Sequence, residues 1–327
     1  MSLIADSHFV DLILGDTYCD VKNLDGASSP RGPVPDSWAS EVIALRQQCK
    51  DIYGEHGDPE FVCTVDGRIN LRVTQMLDIN QQDVFFIRRT NNKIFKAADL
   101  GLPRSVLEVW RAHDLRGLVL ITGEMGHGKT STAASLIVDR LEHDGGLAIA
   151  LEDPLETNLE GMHGNLSGRC VQVQASRKTG GFKEHLIKTM RTGADLIFVG
   201  EIRDGNTAEQ AAIGALNGHL MIATMHASSP SSAIERFITL AKSGSSSIGN
   251  IEDIVAAGLS MVVTQSLARI PGAGPNSKSF TRLTAKHLIL TGSDGLGIRE
   301  KIRAGKVQTL TQDVDHQSRQ STFRSKD

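Results

Sequence analysis

Two glycines and a lysine at fixed spacing, Gly123, Gly128 and Lys129 in GEMGHGKT (residues 123–130), make the pattern GxxxxGK[ST]. Glycines at such places let the backbone curl, so that successive N–H groups and the N-terminus of a following helix converge on phosphate oxygens. Gly123, Met125, Gly126, His127, Gly128, Lys129, Thr130 and Ser131 therefore form the candidate phosphate cradle. In that chemistry the Lys129 ammonium neutralises the β and γ phosphates of a nucleotide and the Thr130 hydroxyl holds Mg²⁺. No NKxD follows the loop, and the DxxG at residues 114–117 precedes it, so ATP is expected rather than GTP.

Carboxylates follow at the ends of apolar runs. DLIFVGE (residues 195–201) sets an acid on each side of a buried strand. Ligands gather at the carboxyl ends of strands in an open α/β sheet, which places Glu201 beside the phosphates. There it can orient and deprotonate an attacking water, a role that typically contributes about 10² to 10⁴ in rate. Asp195 lies about 15 to 20 Å away along the strand and reads as structural. In EDPLE (residues 152–156) Glu152, Asp153 and Glu156 repel one another unless a cation is shared. That suits Mg²⁺ with Asp153 as a ligand, the alternative being a solvated acidic turn opened by Pro154. His219 and His226 flank residues 220–225. A neutral imidazole at a strand end can donate to a γ phosphate, but a lone histidine is more often structural.

These groups need a scaffold. Short aliphatic runs at 118–122, 147–151, 170–174, 195–199 and 220–224 alternate with helical segments, 131–141 and 207–216 among them, and Phe182, Leu186, Ile187 and Met190 share one helical face. Strands apolar on both faces and separated by helices imply a buried parallel sheet, hence an α/β fold. The first hundred residues differ. Residues 24–36 collect Gly, Pro, Ser and Asp and read as a surface loop. Trp38, Val42, Leu45, Cys49 and Ile52 recur at helical spacing. Residues 61–65, the pair Asp66–Gly67 and residues 68–73 read as strand, two-residue turn and strand. Alternation turns Ile69, Leu71 and Val73 inward and puts Arg68, Asn70 and Arg72 on the opposite face. A further apolar run, 84–87, ends in Arg88–Arg89, and residues 90–93 resemble a linker. The polar stretch 316–327 is expected to fray. Two domains follow, 1–100 and 101–327.

Composition narrows the classes. With 35 Lys+Arg against 38 Asp+Glu the formal charge is -3, which argues against a sequence-wide polybasic surface for nucleic acid. Cys19, Cys49, Cys63 and Cys170 form no CxxC pair, so zinc-ligand spacing is lacking and reduced thiols in a cytoplasmic setting are expected. The N-terminus carries Asp6 and Asp11 and no basic segment, and no apolar run approaches the roughly 20 residues of a membrane span.

Taken in order, four segments resemble the secretion ATPase superfamily of type II secretion, type IV pili and type IV secretion, and most of all its PilT-like retraction ATPases. GEMGHGKT resembles the family's Walker A, ALEDPLE (residues 150–156) its Asp box, DLIFVGEIRD (195–204) its Walker B and NGHLMIATMHASS (217–229) its His box. Weaker similarity runs through LRV (71–73), VVTQSLARI (262–270) and GIREKIRAGKV (297–307). The resemblance implies a RecA-like P-loop domain with a parallel-rich sheet, preceded by a smaller α+β PAS-like domain. It also implies that Glu201 is the catalytic glutamate, Glu152 an Asp-box acid and His226 a contact to the γ-phosphate region. Arg72 and Arg88 match the arginines that the N-terminal domain lends to the nucleotide, contacts worth about 10³ to 10⁵ in rate where they act as fingers. A Mg²⁺-dependent homohexamer is implied, docked on an inner-membrane platform protein, peripheral to the membrane and without nucleic-acid contacts. His127 stands where the family has a small residue, and the tetracysteine module of extension ATPases is lacking, which favours the retraction and type IV secretion branches. The second reading is a DotB-like ATPase of type IVB secretion or conjugation. Outside the family stand a RecA-like DNA translocase and a nucleotide-binding regulator without turnover.

Overall fold

Burial along residues 69–77 alternates as a one-sided strand requires: Ile69, Leu71, Val73 and Gln75 are buried, while Asn70, Arg72 and Thr74 lie on the other face. The computed structural model describes residues 2–324 apart from 68, 91, 92, 166, 245–248 and 271–279. Its contacts divide the chain into two units. The first comprises residues 1–93 with 153–158 and 174–179. Six strands, β1 (Asp11–Leu14), β2 (Cys19–Lys22), β3 (Arg31–Pro33), β4 (Glu60–Val65), β5 (Ile69–Leu77) and β6 (Asp83–Arg89), form one sheet in the order β3-β2-β1-β6-β5-β4. Every pairing in it is antiparallel. The helix Ala39–His56 buries Val42, Leu45 and Cys49, with Trp38 before it and Ile52 partly buried, in one core with Leu71, Val73, Phe85 and Ile87. The helical periodicity is thus a core face.

Two local expectations are corrected here. Val65 pairs with Ile69, so the hairpin loop holds three residues rather than two, and Asp66 (φ 54°) and Gly67 (φ 62°) occupy left-handed backbone. Arg68, expected on the polar face beside Arg72, lies outside the described residues. Residues 24–36 contain β3, whose Pro33 is tolerated because β3 is the edge strand and its missing N–H faces no partner.

The second unit comprises residues 94–152, 159–173 and 180–327. Its strands are β7 (Gly117–Thr122), β8 (Leu147–Glu152), β9 (Gly161–His163), β10 (Gly168–Gln174), β11 (Leu196–Val199), β12 (Leu220–Met225), β13 (Leu259–Ile270) and β14 (Phe280–Ile289). They are ordered β14-β13-β7-β12-β11-β8-β10-β9. From β13 to β8 all neighbours are parallel, and β7, β11 and β12 are buried along their whole length. This is the mixed α/β, parallel-rich architecture that the alternating apolar runs imply. Helices Lys129–Asp144 and Gly205–Leu216 stand where the sequence places them, each a residue or more longer. The sheet's extension by β13 and β14 carries no such run-and-turn signal. The expected frayed end at 316–327 is also corrected: the helix Leu310–Arg324 runs through it, and residues 325–327 lie outside the described residues. Gln317 clamps that helix to β14, donating through Nε2 to the Ile289 carbonyl (3.0 Å) and accepting the Ile289 N–H (2.8 Å). Among the described residues no helix is long and apolar enough to cross a membrane.

Candidate functional site

The parallel register Thr122↔Thr264 brings β13 alongside the end of β7, where the loop 123–128 departs. Gly123 has φ +154°, and a Cβ there would lie 2.4 Å from the carbonyl oxygen of Gln265, so no larger residue fits. Gly128 (φ +75°) is the N-cap of the helix that begins at Lys129. No acceptor among the described residues meets the N–H groups of Met125, Gly126 or Gly128, which stand with the helix start as a ready cradle for a polyanion. Lys129 is buried (8% exposed), with Nζ donating to the Glu124 carbonyl at 2.9 Å and lying 3.3 Å from His226 Nδ1. The His127 carbonyl accepts from Gln265 Nε2 at 2.6 Å, and its Nδ1 is buried without a partner. Thr130 and Ser131 follow in the first helical turn, half-buried.

At the carboxyl end of β11, Glu201 sits between two cationic or polar neighbours. Its Oε1 is 3.2 Å from His226 Nε2, and its Oε2 receives Arg203 Nε at 2.8 Å. An ammonium only donates, so His226 Nδ1 accepts from Lys129 and the ring proton sits on Nε2, donating to Glu201. One neutral tautomer satisfies both contacts and links lysine, imidazole and carboxylate in a line. His219, which flanks the same apolar run as His226, is at the other end of β12 and bonds the Gly214 carbonyl through Nδ1 at 3.2 Å. Asp195 accepts the Leu147 N–H at 2.8 Å and Asp204 caps the helix Gly205–Leu216 through the Thr207 N–H at 2.9 Å, so both are structural.

The acidic segment is divided. Glu152, 2% exposed, accepts from Gln172 Nε2 at 2.8 Å in the second unit. In the first unit Glu156 pairs with Arg72 at 3.8 Å. Asp153 meets Gln174 Nε2 at 3.4 Å, and burial, with Asp58 and Glu60 nearby, pushes its carboxyl above the usual range. The three carboxylates are taken up by separate partners, and among the described residues no group of three or more His, Cys, Asp or Glu is placed to hold a metal.

Arg72 and Arg88 are direct cross-strand partners on β5 and β6 and line a cleft of about 410 Å³ with Asp11, Lys22 and Thr74. Asp11 grips Arg88 with both oxygens (2.8 and 3.3 Å), which holds the guanidinium pKa above its ordinary value. Strand alternation sends the neighbouring Arg89 the other way, to the Ile4 and Ala5 carbonyls and over the ring of Phe9 at 5.7 Å. Two groups at the site escaped sequence reasoning. Arg203 is two residues from Glu201 but had no charge pattern to mark it, and Gln265 reaches His127 across 138 residues.

A family profile described as "Type II/IV secretion system protein" matches residues 59–309. The chain is 30% identical over 268 residues to the type IV pilus retractation ATPase PilT of Pseudomonas aeruginosa, covering 81% of this chain and 71% of PilT. It is 30% identical over 206 residues to the type IV pilus ATPase PilU of the same organism, covering 62% of this chain and 52% of PilU. Among solved structures it is similar to the pilus retraction motor PilT with bound ADP, with TM-score 0.72 and 25% identity over 95% of this chain and 86% of that one. The Legionella pneumophila ATPase DotB shares the fold, with TM-score 0.69 and 18% identity over 93% and 84%.

Proposed function

The chain belongs to the Type II/IV secretion system protein family, and from that premise we propose that it is an ATPase motor of a type IV pilus or type IV secretion machine. It hydrolyses ATP to ADP and phosphate with Mg²⁺, as a homohexamer. The carrying observation is the line Lys129–His226–Glu201 beside the glycine loop. A buried ammonium for phosphate oxygens, an imidazole and a carboxylate stand within hydrogen-bond reach of one another, and this is what hydrolysis of a phosphoanhydride asks of its side chains.

In this reading residues 101–327 are a RecA-like motor domain and residues 1–100 a PAS-like domain. Gly123, Met125, Gly126, His127, Gly128, Lys129, Thr130 and Ser131 bind the phosphates. Thr130 would hold Mg²⁺, which would screen the phosphate charge, and Glu152 would stand as a further acid of the motor domain. Glu201 orients the attacking water and accepts its proton, while His226 passes the state of the γ-phosphate region between Glu201 and Lys129. Arg72 and Arg88 would leave Glu156 and Asp11 to meet the nucleotide. Domain motion follows from contacts that differ between the nucleotide states. The motor is cytoplasmic and acts on an inner-membrane platform protein, not on nucleic acid.

The test is phosphate release from ATP by the purified chain in magnesium chloride. Steady turnover is expected, reduced to background in Lys129→Ala and unchanged by added DNA. Equal turnover in Lys129→Ala would overturn the reading, and DNA-stimulated, salt-sensitive turnover would favour a translocase.

A further inference from the structure

Behind the glycine loop stands one side chain that the reading above does not use. Gln265 follows Thr264 on β13 and is 2% exposed. Its backbone oxygen is the wall against which Gly123 turns, and its amide nitrogen lies 3.5 Å from where a Cβ on Gly128 would sit. Nε2 donates to the His127 carbonyl at 2.6 Å, whereas Oε1 is buried with no partner. The amide cannot be turned round, because an oxygen facing the carbonyl would set two acceptors together. An apolar side chain of the same length would spare the chain an unpaired buried oxygen.

We propose that Gln265 is a positioning residue for phosphate binding, holding the His127–Gly128 peptide so that the Gly128 N–H faces the cradle. A trans peptide is planar, and its C=O and N–H point in opposite directions. Fixing the His127 carbonyl towards β13 therefore turns the Gly128 N–H to the far side, the side on which the helix starting at Lys129 presents its own free donors. Glycine at 128, with φ +75°, offers little resistance to a flip of that peptide, so the orientation has to be imposed from outside. The bond from β13 imposes it, and it costs the loop no side chain of its own.

The inference rests on the nucleotide-binding reading, and the test separates the two. ADP and ATP affinities in magnesium chloride are measured by calorimetry for the full chain, for Gln265→Glu, which faces the carbonyl with oxygen, and for Gln265→Met, which keeps length without a donor. Lys129→Ala serves as the control. The loss of one hydrogen bond to a charged phosphate predicts about tenfold weaker binding of both nucleotides in both variants. The melting temperature of Gln265→Met without nucleotide should stay within about 2 °C, since only one bond of a buried residue is changed, whereas Gln265→Glu buries a carboxylate and should melt lower. Affinities within about twofold of the parent in folded Gln265→Met overturn the proposal. So does a loss of affinity that tracks an equal loss of melting temperature, which marks a prop for β13 alone. Failure of the unaltered chain to bind ADP or ATP sinks the nucleotide reading itself.

Discussion

Glu201→Gln removes a carboxylate while keeping its shape. The amide oxygen can still accept from His226 Nε2 across the 3.2 Å contact, but the amide nitrogen then replaces the oxygen that receives Arg203, setting donor against donor. The Arg203 side chain is 60% exposed, so it swings into water, and the stability lost is small, about 0 to 1 kcal/mol. Nucleotide binding should change less than about threefold, because His226 stands between Glu201 and Lys129. Turnover should fall by about 10² to 10⁴, the usual worth of a positioned base, or about 2.7 to 5.5 kcal/mol in the barrier. The assays are steady-state phosphate release at saturating ATP, equilibrium binding of a fluorescent ATP, and a thermal melt. Release within tenfold of the parent, with binding intact, would remove Glu201 from the water-activating role and leave its contacts structural.

Three further outcomes follow from particular contacts. Arg72→Ala and Arg88→Ala should each lower phosphate release, by up to about 10³-fold, with ATP affinity unchanged; an unaltered rate refutes their role at the phosphates. Gly123→Ala should cost about 1 to 3 kcal/mol and abolish nucleotide binding, because its Cβ would sit 2.4 Å from a backbone oxygen that cannot move without parting β7 from β13; a parental urea midpoint sinks this. Burial of His287, whose Nε2 meets Ser105 Oγ at 3.1 Å, holds its pKa below the ordinary 6.5. The folded state then binds fewer protons than the unfolded one, so stability present above about pH 6.5 declines below it by up to about 1.4 kcal/mol per pH unit, and His287→Gln should remove that share of the slope in denaturant titrations.

Much of the scaffold is local and could be read along the chain. The glycine spacing of 123–128 encodes its own turn, because positive φ is open to glycine and closed to most residues. Aliphatic runs such as 118–122 declare strands buried on both faces, and the period of Trp38, Val42, Leu45 and Cys49 declares a helix face. Less local features are not legible along the chain, for physical reasons. The edge strand Arg31–Pro33 looks like loop because pairing on one side only lets Gly and Pro stay. Helix Leu310–Arg324 looks like a frayed end because beyond the buried Leu310 and Val314 what anchors it is the Gln317 side-chain amide, bonded to the Ile289 backbone on β14, rather than a continued apolar stripe.

By itself, then, the sequence determined the glycine-rich turn at residues 123–128 with the helix after it, the order of the parallel strands' apolar runs and the placing of Glu201 as the acid at a strand end, since each is a matter of residue type and spacing within one segment. Only the tertiary structure joined His226 to Lys129, 97 residues away, because parallel strands bring the same ends together whatever lies between them. It also dispersed Glu152, Asp153 and Glu156 to different partners and set Gln265 behind His127. A side chain's partner depends on which strands become neighbours, and that choice is made by burial over the whole sheet.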